Sequence, residues 1–233
     1  MDLHGEVSYN DRLFSKGFRR RLHLARYYWV VEKLKSHHLS PKSVLELGCY
    51  DGKLIEFFTQ EPSRYLGLDA NWEGGLDIAA EKWGSRPEFE FRFCKTPEDM
   101  LLGQERFDCS FAMETLEHVP PDLVSPYLES LADATKHLLF VTVPNEIGIV
   151  FLAKHFTKRA LKGNFQKFAG PEYLYAALGM TDKVERNEHK GFNYRDLHQQ
   201  LQQHFEILEF SGHPISFLPP YLNFGVGFVC RPI

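Results

Sequence analysis

Val44-Leu-Glu-Leu-Gly-Cys-Tyr-Asp-Gly52 decides the fold. The apolar run Ser43 to Leu47 stops at Gly48, and from Gly52 the apolar spacing turns helical through Leu54, Ile55, Phe57 and Phe58. A strand that ends in a glycine-containing loop before a helix leaves backbone N–H groups free, and glycine lets that backbone approach a ligand closely. In open α/β sheets ligands bind beyond the carboxyl ends of the strands. The residues 48–52 are therefore the first candidate binding segment.

Working outward, the same alternation repeats. Tyr65 to Leu68 reads as a second strand ending at Asp69, residues 72–83 as a helix, Phe89 to Phe93 as a third strand and Phe107 to Phe111 as a fourth. Pro120 and Pro121 open a further helix, where proline is tolerated. Leu138 to Val143 is apolar without alternation, the pattern of a strand covered on both faces. Strand and helix in turn imply a parallel sheet with helices on both sides. Upstream, residues 9–38 read as a helical lead-in that Ser40-Pro41 ends. Downstream, 193–203 reads as a helix, and Phe205 to Phe210 and Asn223 to Cys230 as strands with no helix between them, hence an antiparallel hairpin at one edge. Residues 146–190 interrupt the alternation and read as an insertion on the ligand side of a single domain spanning 1–233.

The chain has 233 residues, 43% hydrophobic and 25% charged, which suits a globular domain and excludes wholesale disorder. A net charge of −4 argues against a chain built to neutralise phosphates, so nucleic acid is an unlikely partner. Cys49, Cys94, Cys109 and Cys230 form no C-x-x-C pair, so structural zinc and dithiol chemistry have little support, and scattered thiols suit a reducing compartment. No metal cluster is read. The N-terminus lacks a basic n-region and an apolar stretch, and no run approaches the ~20 residues of a membrane span, so a cytoplasmic location is expected. No pattern marks an oligomer interface.

Two ligand classes use a glycine loop followed by an acid about 20 residues on. Asp69 stands 21 residues after Gly48. The dinucleotide fingerprint G-x-G-x-x-G fails, because Tyr50 and Lys53 occupy its second and third glycine positions. A pyrophosphate would meet a tyrosine where bare backbone is wanted; an adenosine ligand without one avoids the conflict.

At this point the chain resembles the class I S-adenosylmethionine-dependent methyltransferases. Leu45-Glu-Leu-Gly-Cys-Tyr-Asp-Gly52 resembles their first motif, E/D-x-G-x-G-x-G, with Tyr50 in place of the middle glycine. Gly67-Leu-Asp69-Ala70 resembles the second, and Cys94-Lys-Thr-Pro-Glu98 sits where the family holds adenine. Phe107-Asp-Cys-Ser-Phe-Ala-Met-Glu-Thr-Leu-Glu-His-Val119 resembles the fourth-strand segment. The resemblance implies a Rossmann-like α/β fold: a mostly parallel seven-stranded sheet, helices on both faces and an antiparallel C-terminal hairpin. It implies S-adenosyl-L-methionine as cofactor. Gly48, Cys49 and Gly52 would line its methionine and ribose through the backbone. Glu46 and Asp51 would orient the loop or meet the amino group, and Asp69 would grip the ribose hydroxyls. Ala70, Thr96 and Pro97 would flank the adenine, while Met113 and Glu114 would close over the site. The Tyr50 ring must point away from the cofactor or pack along its methionine arm.

The catalytic candidates are His118 and His189. His118 is read as a general base or as a brace for the acceptor wall, and His189 as facing the acceptor or the solvent. Asp108 reads as a structural residue at a strand start. Leu218-Pro-Pro-Tyr221 reads as a loop: nucleic-acid amino-methyltransferases carry Asp- or Asn-Pro-Pro-aromatic directly after the fourth strand, where this chain has Met113-Glu-Thr115. The basic run Lys16, Arg19, Arg20, Arg21 and Arg26 reads as a solvated helix face. Residues 147–171 hold Lys154, Lys158, Arg159, Lys162 and Lys167 among apolar residues, with no acid. That pattern fits a lid over the pocket or a helix lying peripherally on an anionic membrane. Its Lys162-Gly-Asn and Lys167-Phe-Ala-Gly-Pro stretches loosely resemble the insertion of quinone-pathway methyltransferases. The expected reaction is methyl transfer to an oxygen, or secondarily a nitrogen or carbon, of a small-molecule or lipid-like acceptor. A non-catalytic cofactor-binding regulatory module and a nicotinamide-dependent oxidoreductase are the competing readings.

Overall fold

A computed structural model describes residues 17–162, 168, 170–187 and 189–233. The first described helix, α1, is Phe18–Ser36; the expected residues 9–16 lie outside the described part. Then follow β1 (Ser43–Leu47), β2 (Arg64–Asp69), α2 (Gly75–Trp83), β3 (Phe89–Phe93), β4 (Phe107–Met113), α3 (Pro121–Ala134) and β5 (Thr135–Pro144). The remainder comprises α4 (Gly148–Lys162), α5 (Glu172–Leu178), α6 (Tyr194–Leu201), β6 (Phe205–His213) and β7 (Gly225–Pro232).

The seven strands form one sheet in the order β3-β2-β1-β4-β5-β7-β6. The first five run parallel, and β7 pairs antiparallel with both β5 and β6. The Rossmann-like α/β architecture is thus present, with β7 inserted between β5 and its hairpin partner. Strand order reverses between β1 and β4, which opens the crevice where such sheets bind ligands.

Burial explains the sequence pattern. Alternate residues point to opposite faces. Leu45, Leu47, Leu66, Leu68, Val141 and Val143 pack with α3 and α6 on one face. Val44, Tyr65, Phe111, Met113, Leu138 and Phe140 pack with α1 on the other. The central strands are covered on both sides and therefore read as unbroken apolar runs. The edge strand β3 is only half-buried beyond Phe89, hence its alternation. From α1, Trp29 donates its indole N–H to Ser211 Oγ at 2.9 Å, and Lys33 and His37 both reach Glu209 at 2.7 Å, so α1 docks on the hairpin.

One expected element differs. After Gly52 the chain makes a single 3₁₀ turn, Lys53–Phe57, in place of a helix, and it is extended again by Phe58. Leu54 and Ile55 enter the core there, but Thr59 to Ser63 supply no further apolar position, and so short a run does not sustain an α-helix. The 146–190 insertion has its own structure: α4 and α5 close on a small core of Phe151, Ala176 and Val184.

Candidate active site

The loop after β1 is fixed by packing. Gly48 has φ +77°, and a Cβ built on it would lie 2.1 Å from Thr115 Oγ1, in the turn after β4. Thr115 Oγ1 in turn donates to the Leu47 carbonyl at 3.1 Å. The Gly48 and Cys49 amides both donate to the Leu68 carbonyl, at 2.7 and 3.2 Å, and tie the loop to β2. The Cys49 thiol is buried over Gly67; burial holds its pKa well above the ordinary range, so it stays protonated and contributes packing.

Tyr50 answers the question its position raised. Its backbone is left-handed, φ +48°, and its N–H donates to Asp69 Oδ2 at 3.0 Å. Its ring lies on Gly75 at the start of α2, where an added Cβ would sit 2.4 Å from Tyr50 Cδ2. Asp69, almost fully buried, also accepts from the Trp72 amide at 3.2 Å. Burial raises its pKa, and the hydrogen bonds from Tyr50, Trp72 and Asn71 oppose that rise. A carboxylate offers about four acceptor positions. The hydrogen bonds to the Tyr50 and Trp72 amides leave capacity for further hydroxyl donors.

Glu46 and Asp51 support the loop. Glu46 is buried in β1 and accepts from the Tyr65 hydroxyl; burial pushes its pKa up to about 8 against that bond. The Asp51 carbonyl accepts from the Trp83 indole at 3.0 Å, and Lys82 Nζ lies 3.9 Å from Asp51 Oδ2. Ala70 is exposed at the end of β2. Thr96 and Pro97 open a 3₁₀ turn through a capping box with Asp99, and the Cys94 amide donates to the Asp69 carbonyl at 2.8 Å. The expected cofactor residues from β1, β2 and β3 therefore gather at one end of the sheet.

The β4 side is different in character. Met113 is buried and its sulfur accepts from Thr142 Oγ1 at 3.8 Å. Glu114 has φ +55°, and its Oε1 is buried without a hydrogen-bond partner. Burial raises its pKa, and the charges of Arg26 and Lys154 oppose the rise. Glu117 is 0% exposed and neither of its carboxylate oxygens is hydrogen-bonded. Burial, reinforced by the Glu114 charge, holds its pKa well above the ordinary range. His118 Nε2 and His189 Nδ1 each lie 4.0 Å from Glu117 Oε1, and the two imidazole rings are 4.5 Å apart, edge to face.

The structure thus joins both histidine candidates, and through Glu117, to which the sequence reading gave no role of its own. It also assembles Glu117, His118 and His189 into a set whose ligand atoms lie within 4.8 Å of one another, where no metal cluster was expected. The signal was the acid-histidine pair at 117–118, but its third member comes from far along the chain.

Two further expectations change. Arg26 is half-buried with Nη2 3.3 Å from Tyr27 Oη, and its charge reaches Glu46, Glu114 and Glu117; it is not part of a solvated face. Lys154 turns inward and donates to the Asn145 and Phe224 carbonyls and to Glu146 Oε1, at 3.0, 3.1 and 3.2 Å. The side chains of Lys158, Arg159 and Lys162, and residue Lys167, lie outside the described part. Asp108 accepts from the Lys42 and Ser43 amides at 2.8 and 3.1 Å, at the opposite end of the strands, as a structural residue would. Pro220 and Tyr221 fall in a 3₁₀ turn between β6 and β7, remote in sequence from β4.

A cleft of about 820 Å³ opens between α1 and the end of β6, lined by Arg20, Arg21, Leu24, Tyr28, Trp29 and His213 among others. Neither His213 nitrogen has a hydrogen-bond partner; burial first, then the charges of Arg26 and Lys154, lower its pKa to about 3, so the ring is neutral. Among the described residues no helix is long and apolar enough to cross a membrane.

Comparison with known proteins follows the same lines. A ubiquinone biosynthesis O-methyltransferase of Rickettsia bellii is 23% identical over 196 residues, covering 76% of this chain and 77% of that protein. One of Photobacterium profundum is 30% identical over 166 residues, covering 67% and 69%. The crystal structure of magnesium protoporphyrin IX methyltransferase from Synechocystis, solved with bound SAH, superposes with a TM-score of 0.61 at 16% identity, covering 97% of this chain and 89% of that one. A family profile described as a methyltransferase domain matches residues 19–206. That match sets the nicotinamide reading aside: the chain belongs to the methyltransferase-domain family, in its class I, S-adenosylmethionine-dependent form.

Proposed function

We propose that the chain binds S-adenosylmethionine across the ends of β1, β2 and β3 and transfers its methyl group to an oxygen of a small-molecule or lipid-like acceptor. Asp69 carries the reading. Its carboxylate already joins the 48–52 loop to the 70–72 turn, through the Tyr50 and Trp72 amides, and retains acceptor capacity for ribose hydroxyls. Gly48, Cys49 and Gly52 present backbone to the methionine and ribose; Thr96, Pro97 and Ala70 bound the adenine. A positive sulfonium beside Glu114 and Glu117 would favour their ionised forms, which burial alone disfavours.

The sulfonium is activated without help from the protein, so the main task is alignment of acceptor, methyl carbon and sulfur. Proximity and orientation supply roughly 7–11 kcal/mol of barrier reduction. His118 and His189 meet the acceptor's hydroxyl, by taking its proton or by holding it in place. A base in that role contributes typically ~10²–10⁴-fold. The acceptor is bounded by α1 and by the 146–190 insertion, which we read as a lid because α4 and α5 share a core. Ile149 and Phe156 remain 65% and 71% exposed on α4, which supports a second role for the lid in meeting lipid.

The oxygen preference rests on the ubiquinone-pathway relatives, which are named as O-methyltransferases. The test is a calorimetric titration of SAH into the wild type and Asp69→Ala. The expected outcome is a loss of at least about tenfold in affinity, the size of one charged hydrogen bond. Equal affinity would overturn the ribose assignment of Asp69.

A further inference from the structure

The cleft of about 820 Å³ between α1 and the end of β6 holds none of the expected cofactor residues, yet it lies at their end of the sheet. His213 pairs with Gly225, and Gly225 with Pro144 at the end of β5, so the cleft floor stands at the carboxyl ends of the parallel strands. Its volume falls in the ~300–1,000 Å³ range of small-molecule sites. The floor is held in place. A Cβ on Gly225 would lie 2.3 Å from His213 Cε1, so the imidazole fits only because that residue is glycine. The adjoining wall is fixed by Asn223, which accepts from the Ile215 amide at 3.0 Å and donates to the Ile215 and Leu218 carbonyls at 3.0 and 3.2 Å. Trp29 has already given its indole N–H to Ser211 and offers the cleft its ring. His213 is different: it is 6% exposed and neither ring nitrogen is hydrogen-bonded among the described residues. A buried polar group in that state calls for a partner.

The mouth is charged. Arg20 and Arg21, both exposed, stand at the start of α1, whose first turn carries no acid, and that end of a helix favours negative charge. Arg21, Leu24, Tyr28 and Glu32 recur at helical spacing, so one face of α1 forms the wall. Glu32 is the one acid among the described lining residues, so two guanidiniums face one carboxylate and the balance matches a monoanion rather than a dianion. We infer that the cleft holds the non-reacting part of the methyl acceptor and selects an aromatic acceptor that bears a carboxylate. The carboxylate meets Arg20 and Arg21, the ring lies along Leu24, Tyr28 and Trp29, and a hydroxyl at the far end of the ring pairs with His213. A hydroxyl both donates and accepts, so it suits whichever nitrogen of a neutral imidazole it meets.

This deepens the methyl-transfer reading and rests on it only for calling the ligand an acceptor. The carboxylate is a handle and not the group that is methylated: binding at a remote part of a substrate serves to place its reacting atom. Arg20 and Arg21 thereby gain a role beyond that of a solvated face. A phosphate on the same ring is the competing chemistry, and the same experiment separates the two.

The experiment is equilibrium dialysis of the full chain, with and without SAH, against β-naphthyl probes that differ in one group: the carboxylate, its uncharged carboxamide and the phosphate. The expected result is saturable binding of the carboxylate at about one equivalent, roughly tenfold tighter than the carboxamide, with the advantage shrinking as salt is added. In Arg20→Gln/Arg21→Gln, which alters only exposed side chains, that advantage is lost. Lys35→Gln, an exposed cation near the other end of the same helix, leaves it intact. A hydroxyl at the far end of the naphthoate adds further affinity, and no gain from it would overturn the role given to His213. Equal affinity for carboxylate and carboxamide, an advantage that survives in the double variant, or tighter binding of the phosphate would overturn the carboxylate assignment. The SAH arm separates the two readings: naphthoate binding in a chain that does not bind SAH supports the carboxylate site and counts only against the methyl-transfer reading.

Discussion

The two sides of the crevice are built differently. On the β1–β2 side most polar groups are satisfied within the protein, with Asp51 Oδ1 the exception: Asp69 by two amides, Glu46 by the Tyr65 hydroxyl, the Gly48 and Cys49 amides by the Leu68 carbonyl. On the β4 side Glu114 and Glu117 bury carboxylate oxygens that nothing in the described chain satisfies. Native structures leave few such groups, so a pair of them in one turn marks a place where stability is surrendered to chemistry. The first side is a scaffold that grips by shape; the second is a site waiting for charge.

The contrast breaks most easily at Gly48. Alanine there must hold φ +77° and place Cβ inside the Thr115 side chain, whose Oγ1, Cγ2 and Cβ lie 2.1, 2.5 and 2.8 Å away. Overpacking and a left-handed backbone together cost about 2–5 kcal/mol. Urea denaturation of Gly48→Ala should show that loss. Because three atoms of Thr115 are in the way, adding Thr115→Ala should recover only part of it. A fully stable Gly48→Ala would mean that the scaffold yields and is not the rigid half.

A second, smaller effect is a pH dependence. Glu46 has an ordinary pKa in the unfolded chain and one near 8 when folded, because burial outweighs the Tyr65 hydrogen bond. Below pH 4 both states are protonated and the group is neutral to stability. As pH rises toward 8 the unfolded state releases its proton while the folded state retains it, so stability falls across that window. Glu46→Gln removes this contribution while keeping an acceptor for Tyr65. Between pH 5 and 8 the wild type should lose more stability than the variant, by about 2 kcal/mol after allowance for relaxation. Parallel curves would show that Glu46 ionises freely and that this side, too, tolerates unsatisfied charge.

How much of this was legible in sequence follows from the same physics. Parallel strands buried on both faces print as apolar runs, so Ser43–Leu47 and Leu138–Val143 were plain, whereas the order of the strands, with its switch between β1 and β4, is visible only in the fold. The turn at Gly48 and the acid at Asp69 are local signals at a fixed separation. The 3₁₀ turn at Lys53–Phe57 was not legible, because apolar spacing over so few residues does not distinguish two helical windings. Arg26 and Lys154 looked like surface charge; only the tertiary fold sets them among Glu46, Glu114, Glu146 and Glu117. The meeting of Glu117 and His118 with His189 has no period or spacing at all. It is made by the path of the insertion, and its sign is an energetic one, a buried carboxylate without a partner, that no sequence displays.

The smallest expected effect probes the join between the scaffold and the cofactor loop. Tyr50 replaces a glycine of the family motif, and its ring is accommodated because Gly75 has no side chain: a Cβ there would approach Cδ2, Cε2 and Cγ of Tyr50 to 2.4, 2.8 and 3.0 Å. Gly75 is not in a left-handed conformation, so its replacement is opposed by Tyr50 alone and is otherwise favoured within a helix. Gly75→Ala should destabilise by about 1 kcal/mol with Tyr50 present. In a Tyr50→Ala background the same change should be neutral or mildly stabilising, giving a coupling of about 1–2 kcal/mol in a double-mutant cycle. Zero coupling would place the ring elsewhere. A measured coupling would show that the side chain that spoils the glycine motif is housed by a compensating glycine 25 residues on, so that the loop keeps its backbone route to Asp69 despite the substitution.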